Sequence, residues 1–204
     1  MPRFLPSLAV FSALMFGLAG PAAALPGVEE AMKDRVLGRP DAPVTIIEYS
    51  SLTCPHCMAF HRDVLPELKK AYIDTGKAKL IYRDFPLGGL AMAAAMMARC
   101  AKPEQYFGLI EILFRGQAEW TRGEQPLIAL SRIGRLAGLP DSEVQACFQY
   151  RDLWQAIKNS AKSAEQKYDI NSTPSFVVND QKISGSLPLE EFKKVIEAEL
   201  AKKK

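Results

Sequence analysis

Four residues, Cys54-Pro55-His56-Cys57, constrain the fold more than any other part of this sequence. A strand-like run, residues 44–49 (VTIIEY), precedes them, and a helical run, residues 58–72, follows them. Two cysteines separated by two residues at a strand-to-helix junction are far more often a redox pair than a structural staple. The motif therefore predicts an α/β fold that carries a redox-active dithiol.

The first 24 residues have the composition of an export signal. Arg3 is the only charged residue among them, residues 8–19 form an apolar run, and residues 22–24 are alanines. Signal peptidases prefer such small side chains, so we expect cleavage after Ala24 and a periplasmic mature protein. The alternative is an uncleaved membrane anchor, since residues 4–25 are uncharged and are long enough to span a bilayer as a helix.

The composition of the rest of the chain excludes some partners. The whole chain has 26 basic and 23 acidic residues and a formal net charge of +3, which is too balanced to indicate nucleic acid as the main partner. The 180 residues after the signal can form one domain, or one domain with an insert. All four cysteines lie there, and disulfides persist in exported proteins.

The order of the predicted elements indicates a thioredoxin-like sheet interrupted by an all-helical insert. Residues 25–86 follow a β-α-β order, residues 87–170 show only helical patterns, and residues 171–204 follow a β-β-α order. Pro66 is expected to kink or break its helix, and Asp141 is expected to cap the helix that it begins. The predicted strands are 35–37, 44–49, 79–82, 175–178 and 182–183, and the predicted helices are 55–72, 91–100, 103–115, 126–136, 141–150, 153–168 and 189–202.

The position of Cys54 at a helix start predicts an acidic thiol. Pro55 suits the first helical position, which makes Cys54 the N-cap, facing unpaired backbone N–H groups and the positive end of the helix dipole. These surroundings and the neighbouring His56 favour the thiolate, which is a good leaving group in disulfide exchange. We expect Cys57, one turn inside, to be more buried and to act as the resolving thiol. A merely structural disulfide is the alternative.

Glu48 is an acidic residue inside an apolar strand, six residues before Cys54. A buried carboxylate is costly without a partner or a task, so we expect Glu48 to accept and return protons at Cys57. The alternative is a carboxylate at the solvated end of the strand or one paired with a lysine.

Thr173-Pro174 directly precedes a predicted strand. A cis bond here would leave the flanking backbone free to pair with an extended peptide. An ordinary trans loop proline is the alternative that these residues alone leave open.

The other two cysteines, Cys100 and Cys147, both lie in the predicted helical insert. The simplest interpretation is a structural disulfide, which would close a loop of about 48 residues and stabilise the fold by about 3–4 kcal/mol. Two free thiols or a second redox pair are the alternatives.

A metal site must also be considered. Cys54, Cys57 and His61 could meet a soft cation, and three methionines, Met92, Met96 and Met97, lie in one short segment. A closed zinc site needs four ligands, and methionines at this spacing usually fill a core. We therefore predict no metal and no cofactor beyond the Cys54–Cys57 disulfide.

The C-P-H-C motif, with Glu48 upstream and Thr173-Pro174 downstream, resembles that of the DsbA-like thiol–disulfide oxidoreductases of the thioredoxin superfamily. The resemblance also includes residues 38–43 (GRPDAP), residues 82–86 (YRDFP) and a second cysteine pair in the insert. It implies that Cys54 is the attacking and donor cysteine and that Cys57 is its partner. It further implies that Pro174 is a cis-proline facing them and that Glu48 is the family's buried acid. Thr173 departs from the best-known oxidase, which has an aliphatic residue there.

These features predict a periplasmic dithiol oxidase that donates the Cys54–Cys57 disulfide to newly exported proteins through a mixed disulfide at Cys54. The resemblance implies a membrane quinone-linked, DsbB-like reoxidant, and we expect a monomer. A disulfide isomerase or reductase is the alternative within the same chemistry. Such proteins generally dimerise through an added N-terminal domain, for which the residues between the signal and Val44 leave little room. A copper-binding or chaperone module that uses Cys54 and Cys57 as ligands is an alternative from a different class.

Overall fold

A five-stranded mixed sheet forms the centre of the molecule. The computed structural model describes residues 25–185 and 187–202, so the predicted signal at residues 1–24 lies outside the described residues. The strand order is β1-β3-β2-β4-β5; β2 and β3 are parallel, and the other neighbours are antiparallel. The strands are β1 (Arg35–Leu37), β2 (Val44–Ser50), β3 (Ala78–Asp84), β4 (Ser175–Val178) and β5 (Gln181–Ser184).

Helices cover both faces of this sheet, and a block of them, α4 to α8, is inserted between β3 and the last two strands. This arrangement confirms the predicted fold class. Within the described part of the chain, none of the helices combines the length and apolar character that crossing a membrane requires. The α-helices are α1 (Val28–Met32), α2 (Pro55–Ala59), α3 (Leu65–Leu68), α4 (Gly89–Cys100), α5 (Tyr106–Arg115), α6 (Gln117–Arg122), α7 (Pro126–Leu136), α8 (Asp141–Phe148), α9 (Arg151–Tyr168) and α10 (Leu189–Ala201).

Strand β2 is central and buried on both faces, which explains why its sequence is apolar on both alternations. One face, which carries Val44 and Ile46, packs in a core with Phe60, Phe176 and Phe192. The opposite face, which carries Tyr49, packs in a second core formed with residues of α9 and β4. The carboxyl end of β2 is therefore held rigidly, and the loop that follows it leads directly into Cys54.

The α-helix after the cysteines is interrupted just before Pro66 by a turn of different winding. A π-helical turn, Phe60–Val64, separates α2 from α3, and a second one, Lys69–Ile73, follows α3. Proline lacks an N–H and collides with the carbonyl four residues before it, and a locally wider turn relieves both conflicts. The predicted kink or break at Pro66 thus takes the form of a π-helical turn, after which the α-helix resumes at Leu65.

The helical insert is attached to the sheet by a buried arginine. Arg99 on α4 pairs with Asp84 on β3 at 2.6 Å and donates to the carbonyl oxygens of Tyr82 (3.3 Å) and Lys33 (3.1 Å). Both charged side chains are almost completely buried. Because a buried guanidinium needs a partner for its charge and for its donors, this set fixes α4 against the end of β3.

The predicted strands 175–178 and 182–183 correspond to β4 and β5, whereas the predicted helix cap at Asp141 does not form. The turn at Asn179 and Asp180 joins β4 to β5 with positive φ angles of 42° and 74°, as a tight hairpin requires. The predicted cap at Asp141 is wrong, because Pro140 is the N-cap of α8. The Asp141 carboxylate instead pairs with Arg135, at the end of α7, at 2.9 Å.

Candidate active site

The two cysteines of the C-P-H-C motif lie where β2 gives way to α2. Cys54 is the N-cap, with extended backbone angles (φ −82°, ψ 120°), and Cys57 is in the first turn. Both are free thiols in this structure. Cys57 is completely buried and Cys54 is 6% exposed, which agrees with the expectation that Cys57 is the more buried of the two. Pro55 and His56, between them, do face solvent.

The surroundings of Cys54 stabilise its thiolate. A hydrogen bond from the Cys57 thiol is the main cause that lowers the pKa of Cys54 to about 5, and burial opposes it. The Thr173 side chain and the backbone N–H groups of Cys57 and His56 lower this pKa further. The helix start thus acts on Cys54 together with its partner thiol and the loop that faces it.

Cys57 has the opposite character. Burial is the main cause that raises the pKa of the Cys57 thiol, followed by its hydrogen bond to Cys54 and by the charge of Glu48. The pair therefore holds one proton on Cys57 and presents Cys54 as the anion. Two neighbouring cysteines in one motif have clearly separated chemical roles.

The Thr173-Pro174 loop lies directly against Cys54. Its peptide bond is cis, and the Thr173 carbonyl oxygen lies 3.3 Å from the Cys54 sulfur, where it accepts a hydrogen bond when Cys54 carries its proton. The Thr173 hydroxyl is buried and bonds to no other described group, which leaves it free to act on the Cys54 sulfur. The structure thus brings together two motifs that lie 119 residues apart in sequence.

Glu48 is completely buried in the middle of β2, where its register neighbours are Tyr82 on β3 and Phe176 on β4. Both of its carboxylate oxygens lie 3.0 Å from Nε2 of His61. The alternatives of a solvated strand end or a lysine partner are therefore wrong. The sequence prediction missed His61 as the partner, although its position one turn after Cys57 places both on one side of the helix.

Gln117 is a second residue that the sequence prediction missed. Its buried amide donates to the carbonyl oxygens of Leu52 at 2.8 Å and Cys54 at 3.1 Å. Gln117 begins α6, a six-residue helix that the sequence patterns did not indicate. This amide fixes the helical insert to the loop that carries the reactive sulfur.

Cys100 and Cys147 form a disulfide between α4 and α8, with an S–S distance of 2.13 Å. Both lie in an apolar cluster with Met92 and Met96, separate from the cluster that contains Cys54 and Cys57. Met97 packs in the cluster that contains Cys54 and Cys57.

Among residues 25–185 and 187–202, no group of three or more His, Cys, Asp or Glu side chains is placed to hold a metal ion.

Comparisons with known proteins agree with this geometry. A family model described as Thioredoxin matches residues 30–198. The disulfide bond formation protein D of Bacillus subtilis is 30% identical over 174 residues, which cover 81% of this chain and 76% of that protein. The crystal structure of alpha-DsbA1 from Wolbachia pipientis superposes with a TM-score of 0.77 at 35% identity, covering 87% of this chain and 94% of that one.

A protein of Rickettsia prowazekii with the provisional name of protein-disulfide oxidoreductase is 33% identical over 147 residues. This match covers 72% of the present chain but only 54% of the Rickettsia protein. The chain thus spans about half the length of this relative.

Proposed function

The chain belongs to the DsbA-like thiol–disulfide oxidoreductases of the thioredoxin superfamily, and from that membership we propose that it is a dithiol oxidase. In this proposal oxidised Cys54–Cys57 is the disulfide that is given to reduced proteins. The observation that carries the proposal is the unequal acidity of the two thiols, with the pKa of Cys54 lowered to about 5 and that of Cys57 raised. A couple whose reduced form is stabilised as a thiolate gives up its disulfide readily.

The reaction begins at the Cys54 sulfur. A substrate thiolate attacks Cys54 Sγ, the Cys54–Cys57 bond breaks, and Cys57 leaves with the electron pair. A second substrate thiolate then attacks the substrate sulfur of this mixed disulfide and releases Cys54 as a thiolate. The substrate is oxidised by two electrons, the cysteine pair is reduced by two, and Cys57 takes up a proton.

Glu48 is the group that we assign to this proton transfer. Its carboxylate is buried beside Cys57, and its charge is among the causes that raise the pKa of that thiol. A carboxylic acid here can protonate the leaving Cys57 thiolate and take the proton back during reoxidation. Glu48 therefore acts on Cys57, while the helix start and Thr173 act on Cys54.

The Thr173-Pro174 loop is assigned to substrate binding. Because Cys54 Sγ lies 3.3 Å from the Thr173 carbonyl oxygen, a substrate sulfur bonded to Cys54 must lie beside this backbone. An extended peptide could then pair with the backbone on either side of Thr173.

We further propose a periplasmic protein, exported by residues 1–24, that acts as a monomer and is reoxidised by a quinone-linked membrane partner.

The equilibrium of the Cys54–Cys57 pair against glutathione, measured by thiol labelling, tests this function. We expect a strongly oxidising couple, because the pKa of Cys54 is low. A thioredoxin-like value would instead indicate a reductase. Stoichiometric copper in the purified reduced protein, without any thiol exchange, would replace the oxidase proposal with a metal-binding one.

A further inference from the structure

The path by which protons reach Cys57 is not provided by Cys57 and Glu48 alone. Both side chains are completely buried, so neither exchanges protons with water directly. Each turnover nevertheless adds one proton at Cys57, and each reoxidation removes it. The carboxylate of Glu48 can supply one proton, but it must then be recharged from another group.

His61 is the group that contacts this carboxylate. Its Nε2 atom lies 3.0 Å from both Oε1 and Oε2 of Glu48, and its side chain is 7% exposed. The ring is held by Phe114, whose centroid is 4.3 Å away, and by edge contacts with Phe60 and Tyr82. These contacts fix the imidazole on the carboxylate and leave it little freedom to turn.

The same ring also reaches the surface. His61 lines a cavity of about 330 Å³ between the start of the long helical segment and α5. The other residues that line this cavity are Met58, Arg62, Pro66, Glu111, Phe114 and Arg115. His61 therefore contacts the buried carboxylate and also borders a space large enough for several water molecules.

The charged side chains at the cavity pair with one another and not with the imidazole. At the cavity rim, Arg62 pairs with Asp63, and Arg115 on α5 pairs with Glu111 on the same helix. From β3, Tyr82 presents a buried phenol whose pKa is raised well above its usual value, so it stays neutral. On the inner side, the ionisable side chains next to the imidazole are Cys57 on α2 and Glu48 on β2.

We propose that His61 relays protons between Glu48 and the water of this cavity whenever Cys57 gains or loses a proton. This inference rests on the proposed function. When the Cys54–Cys57 bond breaks, Cys57 leaves as a thiolate and takes the proton that Glu48 and Nε2 of His61 share. The ring then takes a replacement proton from water, and reoxidation runs the same transfers in reverse. His61 acts through Glu48 and is a positioning residue of the reaction.

His61→Gln tests the relay, because glutamine can still donate to Glu48 but cannot carry a proton near neutral pH. Single-turnover oxidation of a reduced dithiol peptide should slow by about tenfold, since acid–base groups contribute at least that much. The pH–rate profile of this variant should also lack one ionisation that the wild-type profile shows, because the imidazole is gone. Arg62→Gln, which lines the same cavity without touching Glu48, is the matched control and should keep the wild-type rate and profile.

Chemical rescue separates a relay from a structural role. In His61→Ala, free imidazole entering the cavity should restore the rate in proportion to its concentration, while wild-type protein should not respond. Unfolding by urea shows whether either variant has lost its fold. A wild-type rate and pH profile in His61→Gln, or no rescue of a folded and slowed His61→Ala, would overturn the relay.

Glu48→Gln distinguishes this failure from failure of the proposed function. If Glu48→Gln slows the reaction and the His61 variants do not, Glu48 keeps its role and His61 has none. If wild-type protein itself does not oxidise the peptide, the oxidase proposal is wrong and the relay is wrong with it.

Discussion

The side chains of the two cysteine pairs of this chain are chemically identical, but different groups surround them. Cys54 and Cys57 lie at a helix start, next to the backbone carbonyl of Thr173 and the buried carboxylate of Glu48. Cys100 and Cys147 are 47 residues apart and join two helices within an apolar cluster. The first pair has groups that stabilise one sulfur as an anion, and the second forms a disulfide packed with the apolar side chains of Met92, Met96, Leu153 and Ile157.

This difference indicates that the surroundings of a cysteine pair, more than its presence, decide its chemistry. Disulfide exchange needs a leaving thiolate, and the thiolate needs donors or positive potential nearby. The polar loop, the helix start and the partner thiol supply these at Cys54. An apolar shell around Cys100 and Cys147 favours a disulfide that stays closed and contributes to stability.

The largest expected difference between the two pairs is in the effect of substituting their cysteines. Cys54→Ser should abolish dithiol oxidation, because no mixed disulfide can form there. Cys100→Ala/Cys147→Ala should keep oxidation and lower the free energy of unfolding by about 3–4 kcal/mol, the value for closing a loop of this length. Peptide oxidation and urea unfolding measure the two effects. Loss of oxidation in a folded double variant would show that the second pair takes part in electron transfer.

The next effect is a pH dependence that only the first pair should produce. In the folded reduced protein the pKa of Cys54 is about 5, below the ordinary value of 9.0. Between these values the unfolded chain binds more protons, so the stability of the reduced protein should rise with pH and be lost as pH falls through about 5. The oxidised protein lacks this titration.

Urea unfolding of both redox forms between these two pH values checks this expectation. The difference in unfolding free energy, reduced minus oxidised, should grow steadily with pH. In Cys57→Ala the pKa of Cys54 should move back toward its ordinary value, because its main hydrogen-bond donor is gone. Parallel curves for the two redox forms would show that Cys54 titrates normally.

Much of the first pair's environment can be predicted from local sequence rules. Cys54 precedes a proline that suits a helix start, and the apolar run before it has the composition of a buried central strand, so both elements were predicted. The sequence also indicates a functional role for Glu48, because a carboxylate is unusual in such a strand. These inferences use residues close together in sequence, where the backbone geometry limits the possible contacts.

The features that were missed depend on contacts between distant segments. The sequence indicates for His61 a packed or surface side chain or a metal ligand, and nothing local shows that its ring points to Glu48. The rule for proline predicts a kink or break at Pro66 but not its form, which is a π-helical turn just before it. Gln117 lies on a helix of only six residues, and its partners lie more than 60 residues earlier.

Gln117 gives the smallest and most diagnostic expected effect. Gln117→Leu keeps the side-chain volume but leaves the carbonyl oxygens of Leu52 and Cys54 without this donor, which should cost about 1–3 kcal/mol of unfolding free energy. The exchange rate should change little, because the pKa of Cys54 depends on other groups. Gln166→Leu, at an exposed glutamine of α9, is the matched control and should be nearly neutral in urea unfolding. A large loss of exchange in Gln117→Leu would mean that the insert sets the reactivity of Cys54 as well as its position.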